Sequence, residues 1–124
     1  MSEENKALVR SFFESFSNGD LEATKAMMAD NHAFHFPLAD APMDKEDHAG
    51  AQRLFKAAIP DLKFELHDQI AEGDKVVTRF TATGTFTNEF QGLPPSGEGI
   101  EFSGTNIMHI VNGKSVEEWD SFDT

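Results

Sequence analysis

At Pro60 the hydrophobic period of the chain changes from that of a helix to that of a strand, and this switch restricts the fold more than any single motif. Before it, Leu8, Val9, Phe12, Phe13 and Phe16 recur at the spacing of one helix face. After it, Leu62, Phe64 and Leu66 alternate with Lys63, Glu65 and His67, which is the period of a strand. With 124 residues there is room for one domain, spanning 1–124, around one core.

Ser2 can cap the first helix, with Glu3 and Glu4 in its first turn, and Gly19 stops it. Asp20 is placed to cap a second, shorter helix with Leu21, Thr24, Met27 and Met28 inward, ending near Asp30 and Asn31. A short strand, AFHF, ends at Pro37, and the polar loop LADAPMDKED leads to a third helix carrying Leu54, Phe55, Ala58 and Ile59 up to Pro60. Beyond Leu66, Glu72-Gly73-Asp74 turns into a strand in which Val76, Phe80, Ala82, Gly84 and Phe86 alternate with Val77, Arg79, Thr81, Thr83 and Thr85. One apolar and one Thr-rich face describe an antiparallel sheet covered on one side. Three helices followed by long antiparallel strands predict an α+β cone: a curved sheet with the helices on its concave side, leaving a cavity.

Twelve Phe, one Trp, no Tyr and 39% apolar residues predict an aromatic-rich interior. The absence of Cys excludes disulfides and thiol chemistry. A formal charge of −12 argues against nucleic acid, whose phosphates require clustered Lys and Arg. The acidic start MSEENK lacks the order of a secretory signal, and no apolar run approaches the ~18 residues of a membrane span. The expectation is a cytoplasmic protein without a membrane partner.

The stretch NIMHIVNGKSVEEWDSFD, residues 106–123, reads as a hairpin on Asn112-Gly113. A two-residue type I′ turn alone would pair Asp120 with Thr105 and Trp119 with Asn106. A three-residue connection with left-handed Gly113 would pair Asn106 with Asp120, Ile107 with Trp119 and His109 with Glu117. We prefer the second, because it sets His109 beside Glu117 and Ile107 beside Trp119, favourable pairs on one face. It puts Phe102, Gly104, Asn106, Met108 and Ile110 on the other face with Glu118, Asp120 and Phe122. A carboxyl buried there, with Glu118 roughly 6.5 Å away, has its pKa raised and can exchange protons near neutral pH. The alternative is that Asp120 only hydrogen-bonds a backbone group at a strand end.

The sequence resembles the SnoaL-like polyketide cyclases of the nuclear-transport-factor-2-like fold. The resemblance spans nearly the whole chain, through FFESFSNGD, ADNHAFHFP, AEGD, GLPPSG, FSG, IVNGK and EEWDSFD. It implies an intramolecular aldol ring closure with no metal, organic cofactor or covalent intermediate. By it the acid/base aspartate falls on Asp120, the pocket histidine of the cyclases falls on Asn106, their first-strand asparagine on His35 (or, one residue shifted, Phe34), and an aromatic on Phe16. An amide at position 106 can donate a hydrogen bond to an enolate oxygen but cannot titrate.

His32 and His35 stand three apart on a strand and so on opposite faces, which with no Cys and no second close His argues against a metal site. GLPPSGEG neither precedes a helix nor ends in Lys-Ser/Thr, so it is a rim and not a phosphate loop. Arg79 and Trp119 are expected on the outer face, the latter at a contact between two subunits. Ketosteroid isomerases place a tyrosine in their oxyanion hole, and this chain has none. The limonene epoxide hydrolase Asp-Arg-Asp set is not assembled by this register. Two functions are expected. The first is a small cofactor-independent cyclase, isomerase or lyase acting on an apolar carbonyl compound: Asp120 removes a proton, Asn106 and His35 hold the oxygen, and Phe12, Phe16, Phe86, Met108, Glu118 and Phe122 line the pocket. The second is a homodimeric module that binds a small apolar ligand on the same fold.

Overall fold

The chain runs α1 (Ser2–Ser17), α2 (Leu21–Ala26), β1 (Met28–His35), α3 (Lys45–Ala58), β2 (Lys63–Glu72), β3 (Lys75–Thr85), β4 (Gly99–Val111) and β5 (Lys114–Phe122). The structure, a computed structural model, describes residues 2–90 and 92–123. The five strands form one sheet in the order β1-β5-β4-β3-β2, with β1 parallel to β5 and the other pairs antiparallel. Among the described residues no helix is long and apolar enough to cross a membrane.

The helical stripe of α1 buries Val9, Phe12, Phe13 and Phe16. Val9, Phe12 and Phe13 pack with Met28, Val76, Met108 and Ile110, whereas Phe16 packs with Ala58, Ile59, Leu62, Phe80 and Ala82. The inward set of β3 is Val76, Thr78, Phe80 and Ala82, the alternation expected of a sheet covered on one side. Lys56 fastens the two ends of the helical layer: its Nζ donates to the carbonyls of Ser17 at 2.7 Å, Pro60 at 2.9 Å and Leu62 at 2.8 Å.

Three local expectations are corrected. The second helix stops at Ala26, not near Asp30, because Ser115 N–H donates to the Met27 carbonyl and Met28 pairs with Ser115 as the first residue of β1. Pairing with the last strand overrides a continuing helical pattern. In α3, Leu54 is 44% exposed, and the inward face is His48, Ala49, Gln52 and Ala58. Two polar residues on the buried face concealed it.

The hairpin differs in its loop. Asn106 pairs with Asp120, Ile107 with Trp119 and His109 with Glu117, the preferred register. The loop, however, is the two-residue one: Val111 pairs with Lys114, and Asn112 and Gly113 have φ of 53° and 74°, both left-handed as a type I′ turn requires. The register advances by one residue at a bulge between the pairs Ile110–Ser115 and His109–Glu117, which leaves Val116 unpaired. That bulge, and not the turn, decides the face on which Asp120 lies.

Candidate active site

A cavity of about 340 Å³ lies between the helices and the sheet. Phe12, Phe13 and Phe16 come to it from α1, Phe55 from α3, and Phe64, Phe80, Phe102 and Phe122 from the strands. Leu38, 79% exposed, also lines it, so the cavity reaches the surface. The polar groups on its wall are His48, Gln52, Glu118 and Asp120.

Glu118 and Asp120 are two apart on β5 and therefore share a face, and Asn106 stands opposite Asp120 on β4. The Asn106 amide nitrogen donates to Glu118 Oε2 at 2.8 Å and to Asp120 Oδ1 at 2.7 Å. One amide thus bridges two carboxyl groups, and both of its N–H bonds are used. Burial pushes the Asp120 carboxyl up to about 6, against the lowering effect of the Asn106 hydrogen bond. Glu118, only 2% exposed, is pushed well above the usual carboxylate range by burial and then by the Asp120 charge. Two interacting acids titrate in two steps that belong to the pair, because ionisation of one makes the other hold its own proton more tightly.

Behind Glu118 lies a second polar group. His32 Nδ1 is 3.0 Å from the Ser115 carbonyl, and its Nε2 is 3.0 Å from His48 Nδ1. A carbonyl only accepts, so His32 carries its proton on Nδ1, and His48 donates from Nδ1 to His32 Nε2. His48 Nε2 then accepts from the Gln52 amide nitrogen at 3.5 Å. Burial lowers the pKa of His32; burial, and then His32, lowers that of His48 to about 3, so both rings are neutral at pH 7. Phe34 stacks on His48 with ring centroids 3.9 Å apart. Among the described residues, the buried side-chain atoms without a hydrogen-bond partner are Gln52 Oε1, Asn106 Oδ1 and Glu118 Oε1.

The structure places Asp120, Glu118, Phe12, Phe16 and Phe122 on the cavity wall and Asn106 directly behind the two acids. Three expected pocket residues lie elsewhere. His35 is on the outer face, where its Nε2 lies 2.6 Å from Glu117 Oε2 and its ring stacks on Trp119. Alternation along β1 turns His32 and Phe34 inward, so the one-residue shift to Phe34 supplies the pocket residue. Met108 is wholly buried in the core formed with α1, and Phe86 packs beside Phe16 and Ile59 without reaching the cavity. Arg79 is on the outside, paired with Asp68 at 2.7 Å. The expectation that no second histidine lies near His32 is overturned by His48, which α3 brings across the fold. Its signal was the spacing His48, Gln52, Phe55, Ile59, one helix face with two polar members.

The family model for SnoaL-like polyketide cyclases matches residues 6–124. Among solved structures, IdmH from Streptomyces antibioticus, a candidate polyketide cyclase, is 31% identical, with a TM-score of 0.83 over 96% of this chain and 91% of that one. AclR from Streptomyces galilaeus, a candidate hydroxylase, is 27% identical, with a TM-score of 0.87 over 98% and 90%. A SnoaL-like protein from Jannaschia sp. CCS1, at 21% identity and a TM-score of 0.86 over 98% and 86%, shares the fold. No curated protein matches the chain. A match over nearly the full length, together with this cone of five strands and its acid-bearing last strand, identifies the chain as a member of the SnoaL-like polyketide cyclase family.

Proposed function

We propose that the protein is a small acid/base enzyme of the cyclase, isomerase or lyase type, acting on an apolar carbonyl compound such as a polyketide, without an organic cofactor or covalent intermediate. The observation that carries this reading is a pair of carboxyl groups bridged by one buried amide at the polar end of a largely apolar, phenylalanine-rich cavity. Asp120 removes the proton next to the carbonyl. Its Oδ1 is held by Asn106, which leaves Oδ2 to take the proton. Asn106 acts by orienting the two acids; having no N–H left over, it does not hold the enolate oxygen.

The test uses α-tetralone, an apolar aromatic ketone, and follows exchange of its α-protons with D2O by NMR. Wild type should accelerate exchange over buffer, and Asp120→Asn should lose roughly 10²- to 10⁴-fold of that acceleration. Equal rates in the two proteins would remove the proposal. Binding of the ketone without exchange would leave a ligand-binding module.

A homodimer through the outer sheet face is part of the same reading. The register aligns Ile70, Val77, Ile107, Trp119 and His35 in a row across all five strands, and Ile70 is 68% exposed. Sedimentation equilibrium should give twice the chain mass for wild type and the single mass for Ile70→Lys/Ile107→Lys. A monomeric wild type would exclude the dimer.

A further inference from the structure

We propose that His32, His48 and Glu118 form a binding site for one divalent transition-metal ion, zinc or a similar ion, with an open coordination position facing the cavity. His32 Nε2 and His48 Nδ1 are 3.0 Å apart, and Glu118 Oε1 lies 3.9 Å from the first and 4.0 Å from the second. The point equidistant from these three atoms is about 2.1 Å from each, the length of a bond from zinc to imidazole nitrogen or carboxylate oxygen. All three side chains are buried. Two histidines and one carboxylate are the ligand number of a site that keeps a further position for water or substrate.

The surroundings support the same assignment. The Ser115 carbonyl fixes His32 by accepting from Nδ1, which leaves Nε2 with a lone pair, and Asn106 holds Glu118 through Oε2, which leaves Oε1. His48 requires a change of tautomer to bind through Nδ1, and its proton moves to Nε2. Gln52 is ready for that change: its Oε1 has no partner, and turning the amide over brings this oxygen to the place of a nitrogen now 3.5 Å from His48 Nε2. An ion therefore removes the buried isolation of both Glu118 Oε1 and Gln52 Oε1. His48, Gln52 and Glu118 line the cavity, so the open position is directed there and can accept a carbonyl or hydroxyl oxygen. That last role rests on the proton-transfer reading; binding of the ion does not.

The test takes EDTA-treated full-length protein and titrates it with ZnCl2 by calorimetry and with CoCl2 by visible absorption. One equivalent per chain should bind, and cobalt should show the intense bands of a four- or five-coordinate ion. Glu118→Gln, nearly isosteric, and His48→Ala should each weaken binding by about 100-fold or more, while His67→Ala on the surface should not. Acetylacetone should shift the cobalt bands by taking the open position. Weak six-coordinate bands, or equal affinity in wild type and Glu118→Gln, would place the ion on surface acids and overturn the site. Unshifted bands would overturn the open position. Binding is read without substrate, so its failure leaves proton exchange by Asp120 standing, and the reverse also holds.

Discussion

Gly104→Ala is expected to destabilise the fold by about 3 kcal/mol, a loss of roughly 10 °C in Tm. Gly104 lies on β4 between Phe80 of β3 and Phe122 of β5. A Cβ there would collide with the Ser121 carbonyl oxygen and stand 3.1 Å from Phe80 Cζ and 3.3 Å from Phe122 Cδ1. The carbonyl belongs to the backbone of the neighbouring strand and cannot rotate away, so β4 and β5 must separate. Both phenylalanines line the cavity, and the same displacement narrows it. Thermal unfolding followed by circular dichroism checks the prediction. An unchanged midpoint would mean that the two strands have room to spare at this position. Gly73→Ala is the contrast: open space surrounds it, and only its φ of 60° opposes a side chain, for about 1 kcal/mol.

The second large effect is one of pH. Asp120 has a folded-state pKa of about 6 against an ordinary 3.8, so the folded state holds this proton more tightly than the unfolded chain. Stability from that preference is fully present below pH 3.8 and is lost as the pH rises through 6. Above pH 7 the cost reaches about 3 kcal/mol, because a tenfold difference in proton affinity between the folded and unfolded chain is worth about 1.36 kcal/mol. Asp120→Asn removes the titration. Denaturant unfolding of metal-free protein should find the variant close to wild type at pH 4 and more stable by as much as about 3 kcal/mol at pH 8. A variant that loses proton exchange and gains stability is the mark of an acid held in the cavity for its chemistry. A variant that is less stable at both pH values would instead assign Asp120 a structural hydrogen bond.

Much of this site is legible in the chain. The change of period at Pro60 separates helices from sheet, and the acid two residues from Glu118 on the last strand marks the polar end of the cavity. The register, however, has a different cause from the expected one. A bulge at Val116 displaces the strand as a longer loop would, and side-chain pairing across the hairpin cannot distinguish the two. His35 falls on the unexpected face because the resemblance left positions 34 and 35 open, and alternation along β1 turns Phe34 inward and His35 outward. His48 and Gln52 share a helix face with Phe55 and Ile59, but two polar members weaken the apolar stripe that marks an inward face. Their value appears only when α3 is laid against β1 and β5, a long-range contact that no local pattern encodes.

Asp120 and Glu118 both accept from Asn106, and burial raises the pKa of each. Carbon-13 NMR of the side-chain carboxyls in EDTA-treated protein, followed from acid to mildly alkaline pH, measures this directly. Two titration steps above the ordinary carboxylate range are expected, Asp120 near pH 6 and Glu118 raised by burial and by the Asp120 charge. Two independent steps at or below about pH 4.5 would mean that water solvates both acids, and would contradict the claim.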